Sequence, residues 1–228
     1  METSERAECD RLAHSVNALL PALEQFNRFD GPDLAGPERT KWRRGLDQPL
    51  PQQAQGLESV VNDLQAVVIP NGPRIGAPSF AGWVTTAPTT AGTVASLAAT
   101  VSGTQRYWVN AYNFLETVAL RWLCELLRLD PKFQGLFVSG GAVANLVALG
   151  AARQYAFERL GIDPARDGMP EMRRWRVYAS SEVHHAIFRA AGILGLGRRN
   201  VSLIPVDAEM RIDVAALDAT LDRDATTG

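Results

Sequence analysis

Apolar residues recur along most of this chain at helical spacing, and in a few short runs at the density of buried strands. From about Ser4 to Phe29, Leu12, Val16, Leu19, Leu20, Leu23 and Phe26 form one stripe, which predicts an amphipathic helix. The stretch from Gly31 to Pro51, GPDLAGPERTKWRRGLDQPLP, breaks the pattern with Gly, Pro and charge. It reads as an extended connection and not a domain linker, because apolar patterning resumes at once. Leu57, Val60, Val61, Leu64, Val67 and Val68 then form the stripe of a second helix, closed by Pro70-Asn71-Gly72-Pro73. Residues 1–74 are thus expected to be an N-terminal helical arm, and residues 75–228 a second domain.

Beyond Ile75 the segment GAPSFAGWVTTAP keeps no period yet holds Phe80 and Trp83, so it packs on a core or lines a pocket. Thr90 is placed to cap a helix from Ala91 to about Val101. A clearer helix carries Leu115, Val118, Ala119, Trp122, Leu123, Leu126 and Leu129 on one side, and Asp130-Pro131 stops it. Tyr107, Trp108 and Tyr112 precede that helix, and ordinary packing accounts for them. Leu136 to Val138 predicts a strand, Ser139-Gly140-Gly141 a turn, and Ala142 to about Gly161 a packed helix. Val177 to Ala179 predicts a second strand, SSEVHHAIFRAAGILGLG a capped helix, and Val201 to Val206 a third strand. Asp213 can cap a last helix with Val214, Leu217 and Leu221 inward. Strands alternating with helices predict an α/β fold with a mostly parallel sheet.

The junction at 136–153 carries the first chemical hint. A helix starting on a glycine turn leaves its first N–H groups without partners and directs them, with the positive end of the helix dipole, at whatever lies over the turn. An anion fits there, phosphate above all. A plain tight connection would use the same residues, since glycine is a general turn former. Composition narrows the partners: 228 residues with 46% hydrophobic content can bury a real core, and a net charge of −2 gives no electrostatic case for nucleic acid or an anionic membrane. A small-molecule partner is expected. No apolar run is long enough to span a bilayer and the N-terminus METSERAECDR is charged, which reads as cytoplasmic. Cys9 and Cys124 have no metal-ligand spacing and read as free thiols, with no metal expected.

Taken together, FVSGGAVANLVALGAAR, the preceding FLETVALRWLCELLRL, and YASSEVHHAIFRAAGILGLGRRNVSLIPVD followed by IDVAALDATL resemble the group II pyridoxal-phosphate-dependent amino-acid decarboxylases, the family of the aromatic-amino-acid and glutamate decarboxylases. The resemblance covers roughly residues 57 to 228, in the family's order and spacing. It implies the large domain of fold type I, the aspartate-aminotransferase-like α/β fold, in incomplete form. It also implies that the N-terminal arm wraps over a second subunit, and hence a homodimer. Pyridoxal 5'-phosphate is the implied cofactor and an L-amino acid the implied substrate, with an aromatic one favoured.

Residue by residue, the resemblance puts the cofactor phosphate on Gly140, Gly141 and Ala142. Ala142 lacks the hydroxyl often found there, which leaves more to the backbone. In the pattern S-S-x-x-x-H, counted from Ser180-Ser181, it makes His185 the histidine stacked on the pyridine ring, with His184 its neighbour. FAGWVTTAP matches a segment whose threonine lies near the substrate carboxylate, which selects Thr85, with Trp83 as a pocket wall. Where the family has an aromatic-rich, proline-containing stretch before LE, this chain reads VNAYNFLE. The family's Schiff-base lysine and the acid that pairs with the pyridine nitrogen match nothing here: the two lysines, Lys41 and Lys132, stand elsewhere. The expected role is therefore half of a decarboxylase site, completed by further sequence or by a complementing C-terminal half. The competing readings are a non-catalytic homologue acting as a dimerising or regulatory subunit, and a Rossmann-like nucleotide binder. Against the last, SGGAVAN lacks G-x-G-x-x-G and the acidic residue beyond it.

Overall fold

The computed structural model describes residues 2–28, 41–82, 86–102, 111–170 and 175–226, in two compact units, Met1–Gln105 and Arg106–Gly228.

In the first unit, the predicted arm helices are α1 (Glu2–Asn27) and α3 (Gly56–Asp63), with the short α2 (Arg43–Leu46) between them. α3 runs on into one π-helical turn, Leu64–Val68, so the second stripe extends as far as predicted but with a wider last turn. The Gln65 side-chain amide in that turn donates to the Ala18 carbonyl of α1. Val61 is buried, and α1 packs along α3 and the π-turn. The stop comes from Asn71, whose amide donates to the Val67 carbonyl at 2.7 Å and so satisfies a carbonyl the helix leaves open. α4 (Thr90–Ser102) follows. Its cap is Thr89, one residue before the expected Thr90. The Thr89 hydroxyl accepts the Gly92 N–H at 3.1 Å and its carbonyl accepts from Thr93, while Thr90 already lies in the first turn.

The second unit contains α5 (Ala111–Leu126), α6 (Gly141–Glu158), α7 (Pro164–Asp167), β1 (Val177–Ser180), α8 (Ala186–Ile193), β2 (Val201–Ile204) and α9 (Val214–Thr226). β1 and β2 pair in parallel, from Val177 opposite Val201 to Ser180 opposite Ile204, with α8 in the crossover. The expected βαβ unit is therefore present. The predicted strand at Leu136–Val138 is not: among the described residues it finds no ladder partner, and a strand exists only as half of a pair. α8 also begins later than its sequence pattern promised. Ser181 still donates to the Ile204 carbonyl at 2.8 Å, and the Ser180 hydroxyl accepts the Glu182 N–H at 3.1 Å, so both serines belong to the strand end and its turn. Asp213 caps α9 as expected, accepting the Ala216 N–H at 3.0 Å.

Phe157 of α6, Ala179 of β1, Ala191 of α8, Leu196 and Val201 of β2 form the buried core of this unit. Trp175 meets Phe157 edge to face at 5.6 Å, and its indole N–H reaches the Leu196 carbonyl at 2.7 Å. That bond removes the penalty of burying a polar ring edge and leaves the apolar gain, about 1.5–3 kcal/mol for a large side chain. No helix among the described residues is long and apolar enough to cross a membrane.

Candidate cofactor site

Gly140 precedes α6 with φ +119° and ψ 168°, a conformation open to glycine and forbidden to residues with a Cβ. Its N–H turns back to the Val138 carbonyl at 2.9 Å, and its carbonyl accepts from Val143 at 3.1 Å and Ala144 at 3.0 Å. The intervening N–H groups, on Gly141 and Ala142, have no acceptor among the described residues. A Cβ built on Gly140 or Gly141 would meet nothing within 4 Å. The first turn of a five-turn helix thus offers two adjacent donors on exposed residues, in the field of the helix dipole. A phosphate fits this donor set.

The chain entering the turn is held from α5. Glu116 Oε1 accepts the Phe137 N–H at 3.2 Å. One helical turn further along the same face, Leu120 lies so close to Gly135 that an added Cβ would stand 2.9 Å from its Cδ2. Glu116 is a residue that site-directed reading of the sequence passes over. Its only signal there is its place in the FLE run at the head of a helix.

On its far side α6 packs on α8. Gly150 brings the helices together, with Leu194 Cδ2 3.4 Å from where its Cβ would be, and Arg153 Nη1 donates to the Leu194 carbonyl at 2.7 Å. At the other end of α8 stand the two histidines. His185 is the residue before the first turn and is exposed, and its ring centroid lies 4.0 Å from that of His184 at an interplanar angle of 35°. His184 Nδ1 accepts the Ala186 N–H at 3.2 Å, which ties that ring to the backbone. Repulsion from His184, then desolvation, then Arg189 hold the His185 imidazole below the ordinary histidine pKa, so the neutral ring is favoured.

The second unit therefore carries Gly140, Gly141 and Ala142 at the start of α6 and His185 at the start of α8, on helices packed together. Trp83 and Thr85 lie outside the described residues.

Comparison with known proteins extends these observations. The chain is 25% identical over its whole length to tryptophan decarboxylase 2 of Oryza sativa subsp. japonica, covering 46% of that protein. It is 30% identical to the aromatic-L-amino-acid decarboxylase of Cavia porcellus over 80% of this chain and 40% of that one. Among solved structures, the glutamate decarboxylase domain of the Vibrio parahaemolyticus diaminobutyrate-pyruvate transaminase and L-2,4-diaminobutyrate decarboxylase superposes with a TM-score of 0.85 at 21% identity, over 95% of this chain and 49% of that one. Oryza sativa TDC with PLP and tryptamine gives 0.79 at 22% identity, over 96% and 47%. These likenesses are of fold, and the expected α/β large-domain fold of the pyridoxal-phosphate decarboxylases is the one observed. The chain spans about half the length of the relatives it matches. The model for the pyridoxal-dependent decarboxylase conserved domain matches residues 37–228, and the chain belongs to that family.

Proposed function

We propose that this chain carries the phosphate and ring-face half of a pyridoxal 5'-phosphate site for decarboxylation of an L-amino acid, with aromatic substrates favoured. The observation that carries the reading is the pair of donors on Gly141 and Ala142 that have no acceptor among the described residues, set behind a glycine in a glycine-only conformation. When bound, the cofactor supplies an electron sink for the pair released as the Cα–carboxylate bond breaks. The chain's own residues bind and orient. Gly141 and Ala142 hold the phosphate through backbone N–H groups, aided by the α6 dipole. His185, kept neutral beside His184, lies flat against the ring without adding a charge. Thr85 directs the substrate carboxylate and Trp83 walls the pocket.

The lysine for covalent attachment and the acid facing the pyridine nitrogen come, in this proposal, from residues outside 1–228, on a continuation of the chain or a complementing half, and the assembly is a homodimer. In this proposal the two lysines present do not serve, because neither Lys41, just before α2, nor Lys132, exposed in the turn after α5, matches the family's Schiff-base position. That shortage also favours a second reading, a non-catalytic homologue acting as a dimerising or regulatory subunit. Cofactor titration of the 228-residue chain and its Gly141→Val variant tests the first. Because the new side chain meets no protein atom at its Cβ, thermal stability should hold while affinity for pyridoxal 5'-phosphate falls about tenfold or more. Unchanged affinity removes the phosphate assignment.

A further inference from the structure

The donors on Gly141 and Ala142 are useful only if they are aimed, and the turn is exposed: among the described residues an added Cβ on Gly140 or Gly141 would meet nothing within 4 Å. Its position must be set from its flanks. Downstream, α6 is fixed against α8 through Gly150, Arg153 and the Phe157 core. Upstream, Leu136–Val138 has no ladder partner among the described residues, and Leu136 and Phe137 are largely exposed. What holds this flank is α5. Its Leu120 is seated against Gly135, and its Glu116 carboxylate takes the Phe137 N–H, the kind of bond a neighbouring strand's carbonyl would otherwise provide. From there the path to the site is short, since the Val138 carbonyl receives the Gly140 N–H and fixes the glycine in its left-handed conformation.

We propose that Glu116 is a positioning residue for the phosphate turn, acting through the Phe137 N–H; the inference rests on the cofactor reading above. By charge alone a carboxylate on this flank opposes an anion. Its role is therefore that of a hydrogen-bond acceptor that fixes backbone, and a neutral acceptor should replace it. A carboxylate is the stronger acceptor for a lone N–H, which accounts for a glutamate at this place.

The test uses the 228-residue chain and four variants, Glu116→Ala, Glu116→Gln, Leu120→Ala and, as a control on the exposed side of α5, Glu125→Ala. Binding of pyridoxal 5'-phosphate and of pyridoxal, which lacks the phosphate, is followed by tryptophan fluorescence, and amide exchange of the 136–141 segment by mass spectrometry. Glu116→Ala should weaken pyridoxal 5'-phosphate about tenfold, leave pyridoxal unchanged and speed exchange in that segment, while Glu116→Gln stays within about twofold of the wild type. Glu125→Ala should change neither ligand. If Glu116→Ala does not fold by circular dichroism, Leu120→Ala reads the same strut, with a smaller loss that is again selective for the phosphate. Wild-type affinity in Glu116→Ala, an equal loss for both ligands, or tighter binding in both Glu116 variants overturns the inference. A wild-type chain that does not distinguish the two ligands removes the phosphate reading, and this inference with it.

Discussion

The two ends of α6 are built on opposite principles. Its C-terminal half is packed: Gly150 lies against Leu194, Arg153 bonds across to α8, and Phe157 is buried with Ala179, Ala191 and Leu196. Its N-terminal end is exposed, with two N–H groups that have no acceptor, and no atom within 4 Å of a Cβ on either glycine, among the described residues. One helix is thus an anchor at one end and, in the proposed reading, a binding surface at the other. A site made of backbone donors cannot be stiffened by side chains packed on the donors themselves without blocking the ligand, so its rigidity is imported along the helix and from the segment that enters it.

The largest expected effect falls on the anchored end. Phe157→Ala opens a cavity in the core and loses the edge-to-face contact with Trp175, and should cost about 3–5 kcal/mol in urea denaturation. A loss under about 1 kcal/mol would break the comparison by showing that this end is not the anchor. Gly140→Ala sharpens it from the other side. The residue has ample room but the wrong backbone, so about 1–3 kcal/mol of strain is expected with no steric clash, together with weaker pyridoxal 5'-phosphate binding. Full affinity in that variant would mean the turn works in another conformation.

The smallest effect is electrostatic and lies on α8. His185 titrates below the ordinary histidine value, first because of His184. A depressed folded value means that the neutral form stabilises the fold at pH above the ordinary value of about 6.5, and that this contribution is lost as pH falls through the lowered one. His184→Ala should move the His185 titration back up toward the ordinary value, as read by NMR of its ring protons. No movement would show that repulsion between the rings is not the cause.

What the sequence makes legible is mostly what is local. The stripes of α1, α3 and α5, the Asp213 cap and the turn that opens α6 each depend on residues within a few positions of one another, and each stands where the pattern puts it. β1 and β2 are also legible, since short, largely apolar runs flank a helix that can cross between them. The Leu136–Val138 strand fails for the complementary reason, because an apolar run states a preference for extended backbone but not the presence of a neighbour. The cap shifts from Thr90 to Thr89 because adjacent threonines offer the same hydroxyl, and only backbone geometry chooses between them. Glu116 is hidden by distance: its partner lies 21 residues on, and no periodicity connects a helix face to an amide beyond the next turn.

The two glycines at the head of α6 differ in what each would tolerate under mutation. Position 140 is constrained by the chain's own backbone, since its φ of +119° penalises any other residue whether or not a ligand is ever bound. Position 141 has no such backbone constraint, and among the described residues its Cβ would meet nothing within 4 Å. If the proposed phosphate role holds, a lineage that gave it up while keeping the fold would hold its glycine at 140 and drift at 141. The pair acts as a record in which one position reports folding and the other reports use.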